Sequence, residues 1–241
     1  MATVLKRIAQ VEPAPPWSVG AVIITLIAAF LAIIMGTFFG FTVFGEEARY
    51  RDVAGWTFSM ALIIALVWQT RHRDREWLQL KPPSTPLPLI LFVAFGAAVA
   101  TDLVGLAITG VVLPAAELVN LGAMGLMEWL FAIGFMLVAQ PIAEELVFRG
   151  VAFPVVRTLF NAWGGLVISA LLYALFHLLA YPISSAAPPA VGLWYSLLQP
   201  LIAGLVIGAV RAATGSTRAA VIAHAAFGLF AILKLFVVVT G

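Results

Sequence analysis

The chain is expected to fold as an all-α, polytopic transmembrane helix bundle of about seven to eight spans, and three observations predict it. Of its 241 residues, 63% are hydrophobic and only 10% charged. Its mean hydropathy of +1.09 is far above that of a water-soluble domain. Its apolar residues are gathered in successive runs of about twenty, the length that crosses roughly 30 Å of hydrocarbon at 1.5 Å rise per residue.

Spans are expected at Trp17 to Phe44, Val53 to Gln69, Leu87 to Thr109, Leu126 to Phe148, Trp163 to Tyr181, Leu193 to Val210 and Ala219 to Val239. The segment from Met1 to Pro16 is polar and broken by proline, so no cleavable signal peptide is expected and the first span should stay. The stretch from Arg71 through Arg73 and Arg75 to Lys81 is the densest in basic residues and is assigned to the cytoplasm. Alternation then brings Lys6, Arg7, Arg149, Arg157, Arg211 and Arg218 to the same side, with the amino terminus inside. Arg49 and Arg51 fall outside, and the connections Gly110 to Gly125 and Pro182 to Gly192, which lack Lys and Arg, are external. One membrane domain covers residues 1–241, in what is expected to be a prokaryotic cell membrane.

The pI near 9.2 is read as orientation rather than nucleic-acid binding, with the basic residues mostly in short loops between spans. The absence of cysteine excludes disulfides, thiol nucleophiles and iron–sulfur clusters. Chemistry is left to Ser, Thr, Asp, Glu and His.

Four polar features stand where lipid makes them costly. A carboxylate at mid-span costs about 2.5–3.5 kcal/mol on insertion scales, and Glu144-Glu145 is an adjacent pair of them. Arg149, four residues after Glu145, shares its helical face and can neutralise it, whereas Glu144 points about 100° away and stays uncompensated. Ser169, Tyr173 and His177 form a stripe at i, i+4 and i+8. His224 is the only strongly polar residue for several positions either side of it on the last span. Two steps, Gln140-Pro141 and Gln199-Pro200, each remove a backbone donor and free a carbonyl four residues earlier, which predicts a polar lining at those points.

Glu144, His177 and His224 are therefore the candidate catalytic residues. A Glu can take a proton from water, one His can share it, and a second can stabilise an oxyanion. The same three could bind zinc with water at the open position, although the two-histidine spacing on one helix is missing. Direct catalysis without a cofactor ranks first. Glu145, Arg149 and Tyr173 are supporting residues.

These residues resemble the CPBP family of intramembrane proteases, which includes the CAAX prenyl endopeptidases and bacterial relatives linked to bacteriocin processing or immunity. The likeness rests on Glu144-Glu145-x-x-x-Arg149 followed by Gly150, on Tyr173 four residues before His177, and on His224 in the last span, and it covers roughly Met136 to Phe230. It implies a protease-like core at about 126–240 in which Glu144 activates water with His177, His224 stabilises the oxyanion, and Glu145 and Arg149 hold the site. The implied partners are the lipid bilayer and a peptide or membrane-anchored protein, with no nucleic acid. Two departures from the family pattern are Tyr173, where Phe is usual, and Gly228, where an Asn or Asp donor is usual. Asn161 and Gln199 are amides that could replace that donor.

Two rival functions stand beside the peptidase. One is a proton-coupled transporter using Asp102 with the intramembrane Glu and His residues; the other is an inactive binding or immunity scaffold. One geometric expectation conflicts with a shared site, because helical rise places His224 about 9 Å deep and His177 about 21 Å deep. The conflict is resolved if the fifth span starts below the membrane, or if Ile142 to Phe160 makes a partial crossing of its own after Pro141, which would change the span count by one. Lys234 is expected to snorkel outward, and Trp194 and Tyr195 to serve as interfacial anchors or packing. The Gly164-Gly165 and Gly204-x-x-x-Gly208 patches are expected to pack within the bundle or between chains.

Overall fold

The computed structural model describes residues 2–48, 50–112, 125–181 and 187–240. Arg49 and most of the two connections expected to be external lie outside the described residues. The described helices are α1 (Ala2–Ile8), α2 (Val19–Phe44), α3 (Arg51–Arg71), α4 (Leu87–Thr109), α5 (126–159), α6 (162–180), α7 (Pro189–Thr214) and α8 (Thr217–Thr240). A short 3₁₀ helix, His72–Leu78, follows α3.

Six continuous helical stretches are long and apolar enough to cross a membrane. One of them, Leu126–Ala180, is 55 residues long and contains a reversal at Phe160 and Asn161, where Asn161 takes a left-handed φ of 59°. A Cβ on Gly165 would stand 2.5 Å from the Cα of Arg157. In a straight helix those two residues would be about 12 Å apart, so the chain doubles back and the stretch supplies two antiparallel helices. Asn161 Oδ1 accepts from the N–H groups of Trp163 and Gly164 and caps the second helix. Seven crossings result among the described residues, α2 to α8, in a multi-pass membrane protein.

The outward face is mostly apolar. Phe92 is 79% and Phe38 73% exposed, while the buried positions include Glu144, Glu145, Arg149 and His224. Charged groups inside and apolar side chains outside is the arrangement lipid favours. Close helix contacts use small residues: Gly36 of α2 lies against the Gly55 carbonyl of α3, and Gly204 and Gly208 of α7 lie against Ala170 and Leu166 of α6. The small-residue patches thus pack within the bundle.

Three π turns interrupt the α-helices, and each stands just before a proline. Phe135–Ala139 precedes Pro141, Leu146–Ala152 precedes Pro154, and Trp194–Leu198 precedes Pro200. The N–H of Gln140 reaches the carbonyl of Phe135, and that of Gln199 reaches Trp194. Proline cannot donate and its ring collides with the carbonyl four residues earlier; widening the preceding turn moves that carbonyl aside without ending the helix.

One end of the bundle carries α1, the α3–α4 connection, the Asn161 turn and the α7–α8 turn. It also holds most of the basic residues, but three of them are buried within the helices. Arg149, Arg157 and Arg211 are 0%, 2% and 0% exposed. Arg157 donates to the carbonyls of Ile8 and Gln10, and Arg211 makes a two-pronged pair with Glu12. The proline-broken amino-terminal segment is therefore a strap laid over two buried guanidinium groups, each of which needs a fixed oxygen partner once out of water.

Candidate active site

Glu144 and Glu145 sit on α5 between its two π turns, on adjacent faces, and reach different partners. Glu145 Oε1 accepts from Arg149 at 3.3 Å and from Nδ1 of His224 at 2.9 Å. Its Oε2 lies 3.1 Å from Arg149 Nε, close enough for charge attraction but misaligned as a hydrogen bond. Arg149 also donates to the Gly204 carbonyl at 2.8 Å and lies 4.6 Å over the Tyr173 ring. This group ties α5, α6, α7 and α8 together.

Glu144 is held differently. Its Oε1 accepts from Gln140 Nε2 and from the Tyr181 hydroxyl, both at 3.0 Å. Its Oε2 has no hydrogen-bond partner among the described residues and faces two imidazoles, with Nε2 of His177 at 3.6 Å and Nε2 of His224 at 3.9 Å. Both distances exceed a direct hydrogen bond. His177 Nδ1 lies 3.3 Å from the Tyr173 carbonyl; a carbonyl only accepts, so Nδ1 carries the proton and the neutral ring turns its lone pair on Nε2 toward Glu144. The Tyr173 ring lies 4.3 Å from the His177 ring, tilted by 43°, and its hydroxyl lies 3.4 Å from His224 Nε2.

All six residues expected at the site are brought together. The depth conflict disappears because α5 runs well past Phe148 and α6 starts directly after the Asn161 turn. His177 and His224 are level with Glu144, and residues 142–160 make no separate crossing.

The cluster borders a cavity of about 210 Å³ whose walls include His177, His224, Gln140, Gln199, Asp102 and Lys234. Lys234 does not snorkel outward: its ammonium binds Asp102 at 2.6 Å, since a carboxylate on a neighbouring helix supplies within the bundle what lipid cannot. Tyr195 also lines the cavity, whereas Trp194 is buried against Gly105. Gln199 reaches the cavity, but Asn161 is spent as a cap. A larger cavity of about 390 Å³ lies at the basic end, between the strap and the α7–α8 turn, and holds none of these residues.

Gly228, in the same cavity wall, faces the backbone of α5. A Cβ there would lie 2.1 Å from the Met136 carbonyl oxygen, which belongs to the π turn before Pro141. Sequence reasoning noticed the glycine but not this contact, which joins it to the Gln-Pro step. As for a metal, no three His, Cys, Asp or Glu among the described residues form a ligand group, and both nitrogens of His224 already face protein partners.

Residues 125–230 match the family model of the type II CAAX prenyl endopeptidase Rce1-like proteins. The match covers less than half of the chain and is consistent with a CPBP/CAAX protease family. No curated protein and no solved structure matches the chain. The match spans Glu144, Glu145, Arg149, Tyr173, His177, His224 and Gly228, and so bears out the resemblance read from those motifs. The family is one of CAAX-type intramembrane endopeptidases. Asp102 and Lys234 lie outside the matched residues, on two helices that line the far part of the cavity.

Proposed function

We propose that the protein is an intramembrane endopeptidase that hydrolyses a membrane-proximal peptide bond with Glu144, His177 and His224. The observation that carries this reading is the unpartnered Glu144 Oε2, set between two imidazole Nε2 atoms at 3.6 and 3.9 Å. A water bridging Oε2 and His177 Nε2 makes two good hydrogen bonds where a direct contact makes none.

Glu144 takes a proton from that water as its oxygen attacks the scissile carbonyl carbon. The carbonyl π electrons move onto oxygen, and His224 Nε2–H stabilises the oxyanion. As the C–N bond breaks, Glu144 returns the proton to the leaving amine, so the base is regenerated. Charge supports this assignment. With Glu144 and Glu145 ionised and Arg149 protonated, the buried cluster carries one net negative charge; a proton on His224 makes it neutral and supplies the Nε2–H the oxyanion needs. Glu145 holds that proton's other end at Nδ1. Gln140 and Tyr181 fix the carboxylate of Glu144 in the attacking orientation.

No step is routed through zinc. A chelator is expected to leave turnover unchanged. The decisive experiment gives purified, bilayer-reconstituted protein a panel of membrane-anchored peptides, with wild type beside Glu144→Ala and His177→Ala. Cleavage by wild type that falls about 10²- to 10⁴-fold in the variants is expected; a panel with no variant-dependent cleavage overturns the enzyme reading. One observation favours an inactive scaffold instead, namely that Gly228 offers no side-chain donor where the family usually has one.

A further inference from the structure

The catalytic cavity has a direction. Each helix that lines it can be ordered by its distance from the basic end of the bundle, because α4, α6 and α8 leave that end while α3, α5 and α7 return to it. On α8 the cavity residues run from His224 to Lys234, about 15 Å away from the basic end. On α7 they run from Ala203 back to Tyr195, about 12 Å in the same direction. On α5 they run from Gln140 back to Phe135, and on α4 from Ala98 forward to Asp102. The same sense holds on all four helices: the cluster around Glu144 sits at the inner wall, and the cavity extends from it toward the end that lacks the basic loops.

Behind that wall, buried side chains separate the cluster from the basic end and from the cavity there. Leu78, Arg149, Arg211, Ser216 and Thr217 are all 0% exposed. The Thr217 hydroxyl donates to the Leu78 carbonyl, and the Ser216 hydroxyl to the Lys81 carbonyl. The amino-terminal strap closes over them through Glu12 and Arg211. The far part of the cavity has the lining a peptide backbone needs. The Asp102–Lys234 pair and Gln199 face it, and the Gln199 amide makes no hydrogen bond with the described residues.

We infer that the substrate reaches Glu144 from the face opposite the basic loops. With those loops in the cytoplasm, the substrate is a peptide segment lying in the extracytoplasmic half of the membrane, not a chain terminus presented from the cytosol. This rests on the peptidase reading for what is cut, but the route itself does not depend on catalysis.

The chain contains no cysteine, so single cysteines report sidedness directly. Full-length Ala231→Cys and Tyr195→Cys, at the cavity wall, are compared with Arg73→Cys in the basic loop. Right-side-out cells and inside-out vesicles are treated with a small membrane-impermeant methanethiosulfonate. The loop cysteine is expected to react only in inside-out vesicles, and the cavity cysteines at least tenfold faster in right-side-out cells. Reaction of both cavity cysteines from the loop's side, equally from both sides, or from neither overturns the inference. Because labelling needs no turnover, failure of the peptidase assay and failure of this route are read separately.

Discussion

Gly228 of α8 lies against the Met136 carbonyl of α5, so that a Cβ at that position would stand 2.1 Å from the oxygen. The carbonyl is where it is because Pro141 forces a π turn in the residues before it. The family's usual side-chain donor therefore has no room here: the same turn that opens α5 beside Glu144 occupies the space.

Gly228→Asn is accordingly expected to destabilise rather than to improve catalysis. Overpacking against backbone costs about 1–3 kcal/mol or more. Thermal unfolding in detergent should show a lower midpoint, and peptide turnover should not rise above wild type. A gain in turnover with unchanged stability would contradict the contact.

Tyr181 donates to the oxygen of Glu144 that does not face the histidines. Hydrogen bonds to a charged group contribute about 1.5–3 kcal/mol. Tyr181→Phe should therefore lower kcat about 10- to 100-fold while leaving KM near wild type, since the hydroxyl touches the base and not the substrate. An equal change in both constants would assign Tyr181 to substrate binding instead.

Arg149 is the counter-charge for a carboxylate with no exposure. Removing one partner of a buried pair costs about 3–5 kcal/mol, because the other is left uncompensated. Arg149→Met should sharply reduce folded yield, and Arg149→Met with Glu145→Gln should recover much of it. Denaturant titration of the single and double variants measures the coupling.

Lys234 and Asp102 pose the same question at the far end of the cavity. Lys234→Met alone and Asp102→Asn alone should each destabilise, and the double variant should be more stable than their sum. An additive result, read by thermal unfolding, would show that the pair contributes no coupling.

The spans were legible because their lengths are set by the bilayer, and six of the seven need nothing beyond apolar run length. The end of the fourth was not: Phe148 looks like a boundary because Arg149 follows it, yet Arg149 is buried through Glu145 and Gly204, a partner 55 residues away. Arg157 and Arg211 were misplaced in loops for the same reason, since Ile8, Gln10 and Glu12 are far off in sequence. Lys234 carries no local sign that its carboxylate is on α4. The site residues themselves were legible because each is costly alone in lipid. What spacing could not supply was the level of His177, which depends on the reversal at Asn161.

The π turn at Phe135–Ala139 has a consequence for how the protein can change over time. It is one residue of extra length, and that residue sets the rotational phase of everything after it. Winding this turn back into an ordinary helix without removing that residue would swing Glu144 by about 100°, away from both histidines, with no side chain of the site altered. The chain is tolerant of drift in what its lipid-facing positions are, and intolerant of change in how the turn before its candidate catalytic carboxylate is wound.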